Sequence, residues 1–521
     1  MILTALAVAL TLVAPPDAVR TGGPSAPGDV KIAVVGSSRE LAGTPFSVVD
    51  AGGRVVLVGT LAKATGAPAP WPHGAVADLS ELREPGAYSV RVGSLTSRPW
   101  VVQARPGREL LRVLLRFFWA QADGRERSWL HGPSHLDDAV VAGGTYRGRR
   151  FDLSGGWMDA GDMLKFTQTT SFTAALLEAA ARLDPAAAKE LNGAADVGLR
   201  WLIKAHPLPD LFVLQVGDLR DHDVGFRPPE SDDGSGRPGI GQRLAATGEA
   251  ADVAGKAATA LALAAARAKG ARRATLLRHA EEWYAMGKRA RRAWKPEFYA
   301  GSDWRDDLAA GAAALYRLTG RTEYARDAET FLRRSDVFGF GWDAFAVFAA
   351  ADLCGKLGAP PAADERARDL GCAKLAQAGE AAAERAGANA WGTPGPFVWG
   401  QTAESSGAGA VAALAGRRDI AARARDWLLG LNPWSASFVV GFGPNAPRHP
   451  HHWAGSFGRL PTGAVVGGPA QLKTQRAHGF EPHDPYAWAV AYEDRVANYV
   501  TSEPALDYVA ASVLLVAALG A

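Results

Sequence analysis

A chain of 521 residues has room for more than one domain, and its 48% hydrophobic content supplies a large core. With 57 basic against 54 acidic residues the formal charge is +3, which offers no basic field for a nucleic acid and no like-charge tail. The only cysteines, Cys354 and Cys372, form no CxxC pair, which excludes a Cys-rich zinc site; we read them as two buried thiols, with a disulfide the alternative if the chain is exported.

In chain order, the apolar run 2–14 (ILTALAVALTLVA) is short for a bilayer span and fits the core of a secretory signal covering residues 1–18, although a basic start is missing. A secreted or periplasmic protein follows, and no other stretch is long and apolar enough to span a membrane. Residues 19–30, rich in Gly, Pro and Ser, read as a linker. Between 31 and 104 the runs KIAVV, FSVVD, RVVLVG, YSVRVG and RPWVVQ alternate with Gly, Pro and Asp, which predicts a small antiparallel sandwich of immunoglobulin type. We expect a structural role for it.

From residue 108 to 521 the apolar period changes from two to near 3.6. About twelve helices are predicted, many Ala-rich, and the last covers 503–519. The long connections 123–166, 206–246, 389–402 and 432–502 are rich in Trp, His, Gly, Pro and Asp, the composition of ordered loops that carry sites. Paired helices with long loops at one end predict an (α/α)6 barrel, so the fold class is mainly α behind a small all-β sandwich; a helical-repeat array has the same periodicity. The 16 Trp serve core packing in one reading and stacking on a flat sugar face in another.

Two acidic segments stand out: GGWMDAGDMLKF (155–166) and YEDRVANYVTSEPALDY (492–508). Carboxylates on separate loops suit glycoside hydrolysis, which needs one protonated acid on the leaving oxygen and one ionised carboxylate on the opposite face of the sugar. In order along the chain, RFFWAQ (116–121), HLDDA (135–139), the DAGD segment, QVGD with DH (215–222), LLGLNPWSASFVVGFG (428–443), HPHH (449–452) and the Glu503 segment together resemble the blocks of glycoside hydrolase family 9, mostly cellulases.

The resemblance implies an (α/α)6 barrel, an inverting mechanism without a cofactor, and a β-1,4-glucan or related oligosaccharide as partner, acted on by a monomer. Residue by residue, it implies Asp162 as general base, Asp159 as a second holder of the attacking water and Glu503 as general acid. Substrate contacts fall to Trp157, His222, Trp399, His451, Trp453 and Tyr508. A structural calcium is implied at Ser302, Asp303, Asp306, Asp307 and Asp343, oxygen donors of the kind calcium takes; the other reading is a solvated acidic helix start. The alternatives in function are an exo-acting β-glucosidase or glucosaminidase on the same scaffold, and a carbohydrate-binding protein that has lost turnover.

The residues carry a reading of their own. Asp159 and Asp162 are three apart across Ala-Gly, a spacing that sets both carboxylates on one side of a turn, although alone it also fits an ordinary helix N-cap. Glu503 precedes Pro504, which favours the first helical position, so Glu503 is expected at or just before a helix N-terminus. That end favours the ionised form, whereas burial among Tyr499, Tyr508 and a carboxylate such as Asp494 or Asp507 would raise its pKa. HPHH could ligate a metal, but its spacing fits zinc poorly, and sugar hydrogen bonding by His451 is preferred. Against the family blocks, Trp453 stands for an Arg, Val224 and Gly225 replace an aromatic pair for which Phe226 could substitute, Ser134 replaces the Cys of a zinc-binding block, and Val509 replaces an Asn.

Overall fold

A computed structural model describes residues 14–66, 68–235 and 240–520. The expected signal falls mainly on residues 1–13, outside the described residues. Its end does not: Trp71 donates its indole N–H to the carbonyls of Pro15 and Pro16.

Among the described residues, nine strands form the N-terminal sandwich. One sheet runs β1 (Ala18–Thr21), β2 (Ile32–Ser37), β6 (His73–Asp78), β5 (Ala62–Lys63). The other runs β4 (Val55–Thr60), β3 (Pro45–Asp50), β7 (Gly86–Val92), β8 (Leu95–Thr96), with β9 (Trp100–Val102) also on β7. The stretch 19–30 is therefore not simply a linker: Ala18–Thr21 pairs with Ala33–Gly36, and Ser25 bridges to Val102. The Gly and Pro content concealed it, because a four-residue edge strand carries little periodic signal.

Strand β2 shows how the sandwich meets the helices. Ala33 and Val35 face the sandwich core, while the alternate residues Ile32 and Val34 join the main helical core, as the two-residue period of a strand requires. Polar contacts seal the seam: Arg425 pairs with Asp29 at 2.8 Å, Trp391 donates to the carbonyl of Ala69, and Arg98 donates to that of Leu429.

Among the described residues twelve helices of eight residues or more follow: α1 (Pro106–Ala120), α2 (Thr167–Leu183), α3 (Ala188–Lys204), α4 (Ala251–Arg267), α5 (Gly270–Ala290), α6 (Arg305–Thr319), α7 (Thr322–Arg334), α8 (Ala346–Leu353), α9 (Glu365–Gly387), α10 (Gln401–Leu414), α11 (Arg418–Leu428) and α12 (Leu506–Leu519). The even-numbered helices form the inner ring of an (α/α)6 barrel. They are buried nearly all round, and α2 buries every residue from Thr167 to Ala181. The outer helices expose one face; α7 buries only Tyr324, Ala325, Ala328 and Leu332. Small residues let the inner helices touch backbone to backbone. A Cβ on Gly255 of α4 would lie 2.3 Å from the carbonyl carbon of Asp307 on α6. No described helix is long and apolar enough to cross a membrane.

The two cysteines are not separate thiols. Cys354, at the end of α8, is disulfide-bonded to Cys372 on α9 across a sequence separation of 18. Both are partly buried, and sequence spacing could not place α8 against α9. In the chain-entropy description, closing a loop of this size contributes about 3 kcal/mol.

Candidate active site

Three loops, distant in sequence, are stitched together at one end of the barrel. Trp453 N–H donates to the carbonyl of Gly161 at 2.9 Å, His451 N–H to Ser502 at 3.0 Å, and Leu506 N–H to Asp159 at 3.0 Å. Gln121, at the end of α1, adds a fourth strand of contact. Its amide donates to the carbonyls of Met158 and Ala160, and its oxygen pairs with Nε2 of His452 at 2.9 Å. RFFWAQ, DAGD, HPHH and the Glu503 segment are thus one structural unit.

Asp159 is buried and held by two hydroxyls, Thr169 on Oδ1 and Tyr299 on Oδ2. Burial pushes its pKa up to about 7, opposed by those two hydrogen bonds and reinforced by the nearby Asp162. Asp162 is more open; its Oδ1 accepts the N–H of Leu164 at 3.0 Å and its Oδ2 pairs with Nδ1 of His222 at 2.7 Å. That hydrogen bond is the main cause raising the pKa of His222, with burial opposing it.

Glu503 faces the same turn, and its Oε1 accepts the N–H of Gly161 at 3.3 Å. It does not cap the last helix. A short helical turn, Tyr499–Ser502, ends at Glu503, and α12 begins at Leu506 with Ala505 before it. Pro504 instead bridges Val466 in an extended stretch. Glu503 therefore lacks the helix-start field that its Pro neighbour suggested. Burial raises its pKa to about 8, followed by repulsion from Asp162, with Asp159 adding less and the Gly161 N–H opposing. Asp494 is not among the causes; it accepts the backbone N–H groups of Arg448 and His449.

Gly161 allows this approach. A Cβ there would lie 2.3 Å from the carbonyl oxygen of His451 and 3.1 Å from Oε1 of Glu503. Gly161→Ala is expected to lower kcat by ~10–100-fold without unfolding the chain, because displacement of a reacting group by about 1 Å costs up to that much. Steady-state kinetics beside a thermal melt checks it.

The substrate-contact expectations divide. Trp399 is 37% exposed and lies against Tyr499 and His478, with ring centroids 5.6 and 4.9 Å apart. Tyr499 continues to His451, and His451 to Phe226, so an aromatic wall leads to the carboxylates. Phe298 stands beside His222 at 5.1 Å. Tyr508 packs over Gly400, next to Trp399 in the chain.

Trp157 and Trp453 do not line the cleft. Trp157 is fully buried against Phe118 and the backbone of α3 at Gly198. Trp453 is fully buried with Ala120, Leu130, Met158 and Met163, its ring edge-on to His131. Both are apolar residues beside an acidic turn, and the side on which each ring falls is set by packing that sequence spacing does not encode. His452 is likewise internal, its pKa pushed down to about 3 by burial.

The calcium set is not brought to one point. Asp303 Oδ1 is used by the N–H groups of Trp304 and Arg305 and by the Arg305 guanidinium. Asp343 accepts the N–H of Ser302. Asp306 accepts the N–H of Phe345, and Asp307 is buried on α6 with Nζ of Lys256 at 2.6 Å. An ammonium group on α4 already supplies the positive charge, so these residues do not fit calcium as a set.

Sequence reasoning missed Tyr299, Thr169, Phe298 and the ion network beneath the turn. Tyr299 adopts φ +52°, a left-handed conformation with no sequence signature in a non-glycine residue. In the network, buried Lys165 lies 2.7 Å from Asp123 and 2.6 Å from Asp138. Asp123 also accepts from Ser134 and His135, and His135 reaches Asp232, which pairs with Arg227. Burial would raise the pKa of Asp123, but Lys165 and His135 hold it well below the carboxylate range. The network ties Lys165, three residues after Asp162, to the loop carrying His222. Its signal was present as charged residues inside otherwise apolar blocks.

Comparisons with known proteins identify the family and the fold. The profile for glycosyl hydrolase family 9 matches residues 108–516, and that for the cellulase N-terminal Ig-like domain matches 26–97. Endoglucanase B of Cellulomonas fimi is 29% identical over 454 residues, covering 77% of this chain; the chain spans only 40% of that relative's length. Endoglucanase 13 of Arabidopsis thaliana is 30% identical over 400 residues, covering 67% of this chain and 78% of the relative. The crystal structure of a single-mutant thermostable endoglucanase from Alicyclobacillus acidocaldarius superposes with TM-score 0.82 at 26% identity, over 97% of this chain and 100% of that one.

Proposed function

Because the chain belongs to glycosyl hydrolase family 9, we propose that it hydrolyses β-1,4-glucosidic bonds with inversion, Glu503 acting as general acid, Asp162 as general base and Asp159 as a second holder of the water. The observation that carries this reading is the contrast between the two facing carboxyls. Glu503 keeps its proton up to about pH 8, whereas Asp162 accepts hydrogen bonds from Leu164 and from a His222 whose own pKa is raised. A buried carboxyl that holds its proton, facing a more open one that accepts two hydrogen bonds, is the arrangement of an acid and a base.

In the first half of the step Glu503 gives its proton to the glycosidic oxygen as that bond breaks. In the second, Asp162 takes a proton from water attacking the opposite face of the sugar. The aromatic wall from Trp399 through Tyr499 is a stacking surface for glucose units beside the scissile bond. The partner is a β-glucan chain or oligosaccharide. The natural setting is outside the cytoplasm, a reading that the Cys354–Cys372 disulfide supports.

The test is product release from carboxymethylcellulose, barley β-glucan, xyloglucan, cellotetraose and chitosan oligomers, with the anomer of the first product read by proton NMR. Release of α-configured ends from a glucan is expected; β ends would overturn the inverting assignment, and binding without release would favour a turnover-deficient protein.

A pH prediction follows from the same pair. The acid works only while protonated, and its pKa is raised, so kcat/KM is expected to hold through neutrality and fall tenfold per pH unit above about 8. A decline that begins near pH 5 would remove Glu503 as the acid.

A further inference from the structure

On the outer wall of the barrel a second cluster has no part in the reaction above. His206, just beyond α3, and His279, on α5, face each other with their Nδ1 atoms 3.0 Å apart. Glu282, one helical turn beyond His279 on the same helix, brings Oε2 to 3.4 Å from His206 Nδ1. These three donors lie within 4.8 Å of one another. We propose that His206, His279 and Glu282 form a binding site for a divalent transition metal of the zinc class, with the fourth position open to water.

Ligands about 2.0–2.1 Å from a tetrahedral zinc lie about 3.3 Å from one another, and the two distances above bracket that edge. Two imidazoles and one carboxylate suit zinc, whereas calcium and magnesium prefer oxygen. The site is preorganised. His206 is stacked on Phe212 at 4.4 Å, both rings pack around Trp283, and both imidazoles are buried. Glu282 remains one-third exposed and leaves an entry path. Burial lowers both histidine pKa values, that of His279 to about 4, so both rings are neutral and each keeps one unprotonated nitrogen at neutral pH.

Arg278 opposes the metal. It donates to Nε2 of His279 at 3.0 Å and to Oε2 of Glu282 at 3.0 Å. A neutral His279 that accepts from Arg278 on Nε2 carries its proton on Nδ1 and donates it to His206. Metal on both Nδ1 atoms requires the His279 proton to move to Nε2 and Arg278 to swing out. Arg278 is 58% exposed and free to do so. No bond is made or broken besides this tautomer shift and the metal–ligand bonds. The ion would fasten the outer helix α5 to the segment that leads through Phe212 into the strand Val213–Val216, five residues before Asp221 and six before His222.

The test is isothermal titration of the full chain with zinc chloride after dialysis against chelator, beside Co²⁺ titration followed by visible absorption. One equivalent is expected to bind, with the intense visible band of tetrahedral cobalt and a rise in melting temperature with added metal. His279→Gln and His206→Gln are each expected to weaken binding by at least ~100-fold, since loss of even an outer partner costs 10–100-fold, while leaving β-glucan hydrolysis and circular dichroism unchanged. Arg278→Ala is expected to tighten binding several-fold. Equal zinc binding by wild type and His279→Gln would overturn the proposal, as would no stoichiometric binding to either the wild type or Arg278→Ala.

Discussion

Glu503→Gln is expected to lower kcat on cellotetraose by ~10²–10⁴-fold, the usual contribution of a positioned general acid, while binding of the oligosaccharide stays within about threefold. The amide keeps the size of the acid and can still accept the Gly161 N–H that Glu503 receives at 3.3 Å. What it lacks is the proton. Burial and the adjacent Asp162 hold that proton on Glu503, so the loss should fall on the chemical step and not on KM. The assignment predicts a specific rescue as well. A dinitrophenyl β-cellobioside has a leaving group that departs as a stable anion and needs no protonation, so the mutant should hydrolyse it far closer to the wild-type rate. Near-normal turnover of cellotetraose, or an equal loss on both substrates, would remove Glu503 from the acid role.

The parts of this site that sequence revealed are those where chemistry and spacing coincide. DAGD shows two carboxylates on one turn, and the change of period at residue 108 separates a sandwich from a barrel. Pairing the loops was accessible only through the ordered blocks, because the hydrogen bonds that join Gly161 to Trp453 and Asp159 to Leu506 are backbone contacts that any residue can make. Side-chain direction was less legible. Trp399 and Trp453 are both indoles in long loops, yet one is exposed over Tyr499 and the other is sealed among Met158, Met163 and Leu130. The place of Glu503 relative to the last helix differs from expectation for a related reason. Pro504 fits a first helical position, but Val466 draws that stretch into an extended bridge and delays the helix to Leu506. Calcium at the start of α6 failed because Lys256 arrives from α4, fifty-one positions away from Asp307, a meeting that only the ring of inner helices creates.

Asp162→Ala should be as damaging as loss of the acid, with kcat lowered by ~10²–10⁴-fold, but it should fail in a different way. Removing the carboxylate leaves water in the cleft with nothing to take its proton, while Glu503 still protonates the leaving oxygen. A nucleophile that carries no proton bypasses the defect. Millimolar azide is expected to restore turnover in Asp162→Ala and to yield a glycosyl azide of α configuration, since attack comes from the face opposite the departing group. The same azide should do nothing for Glu503→Gln with an unactivated glucan, where bond breaking lacks its proton. His222 supplies a second readout. Its pKa is raised chiefly by the hydrogen bond to Asp162 at 2.7 Å, so its imidazole proton should be lost at lower pH in the variant, visible by NMR titration of the ring. If Asp162→Ala retained most of its activity, or azide restored Glu503→Gln instead, the base and acid assignments would have to be exchanged or abandoned.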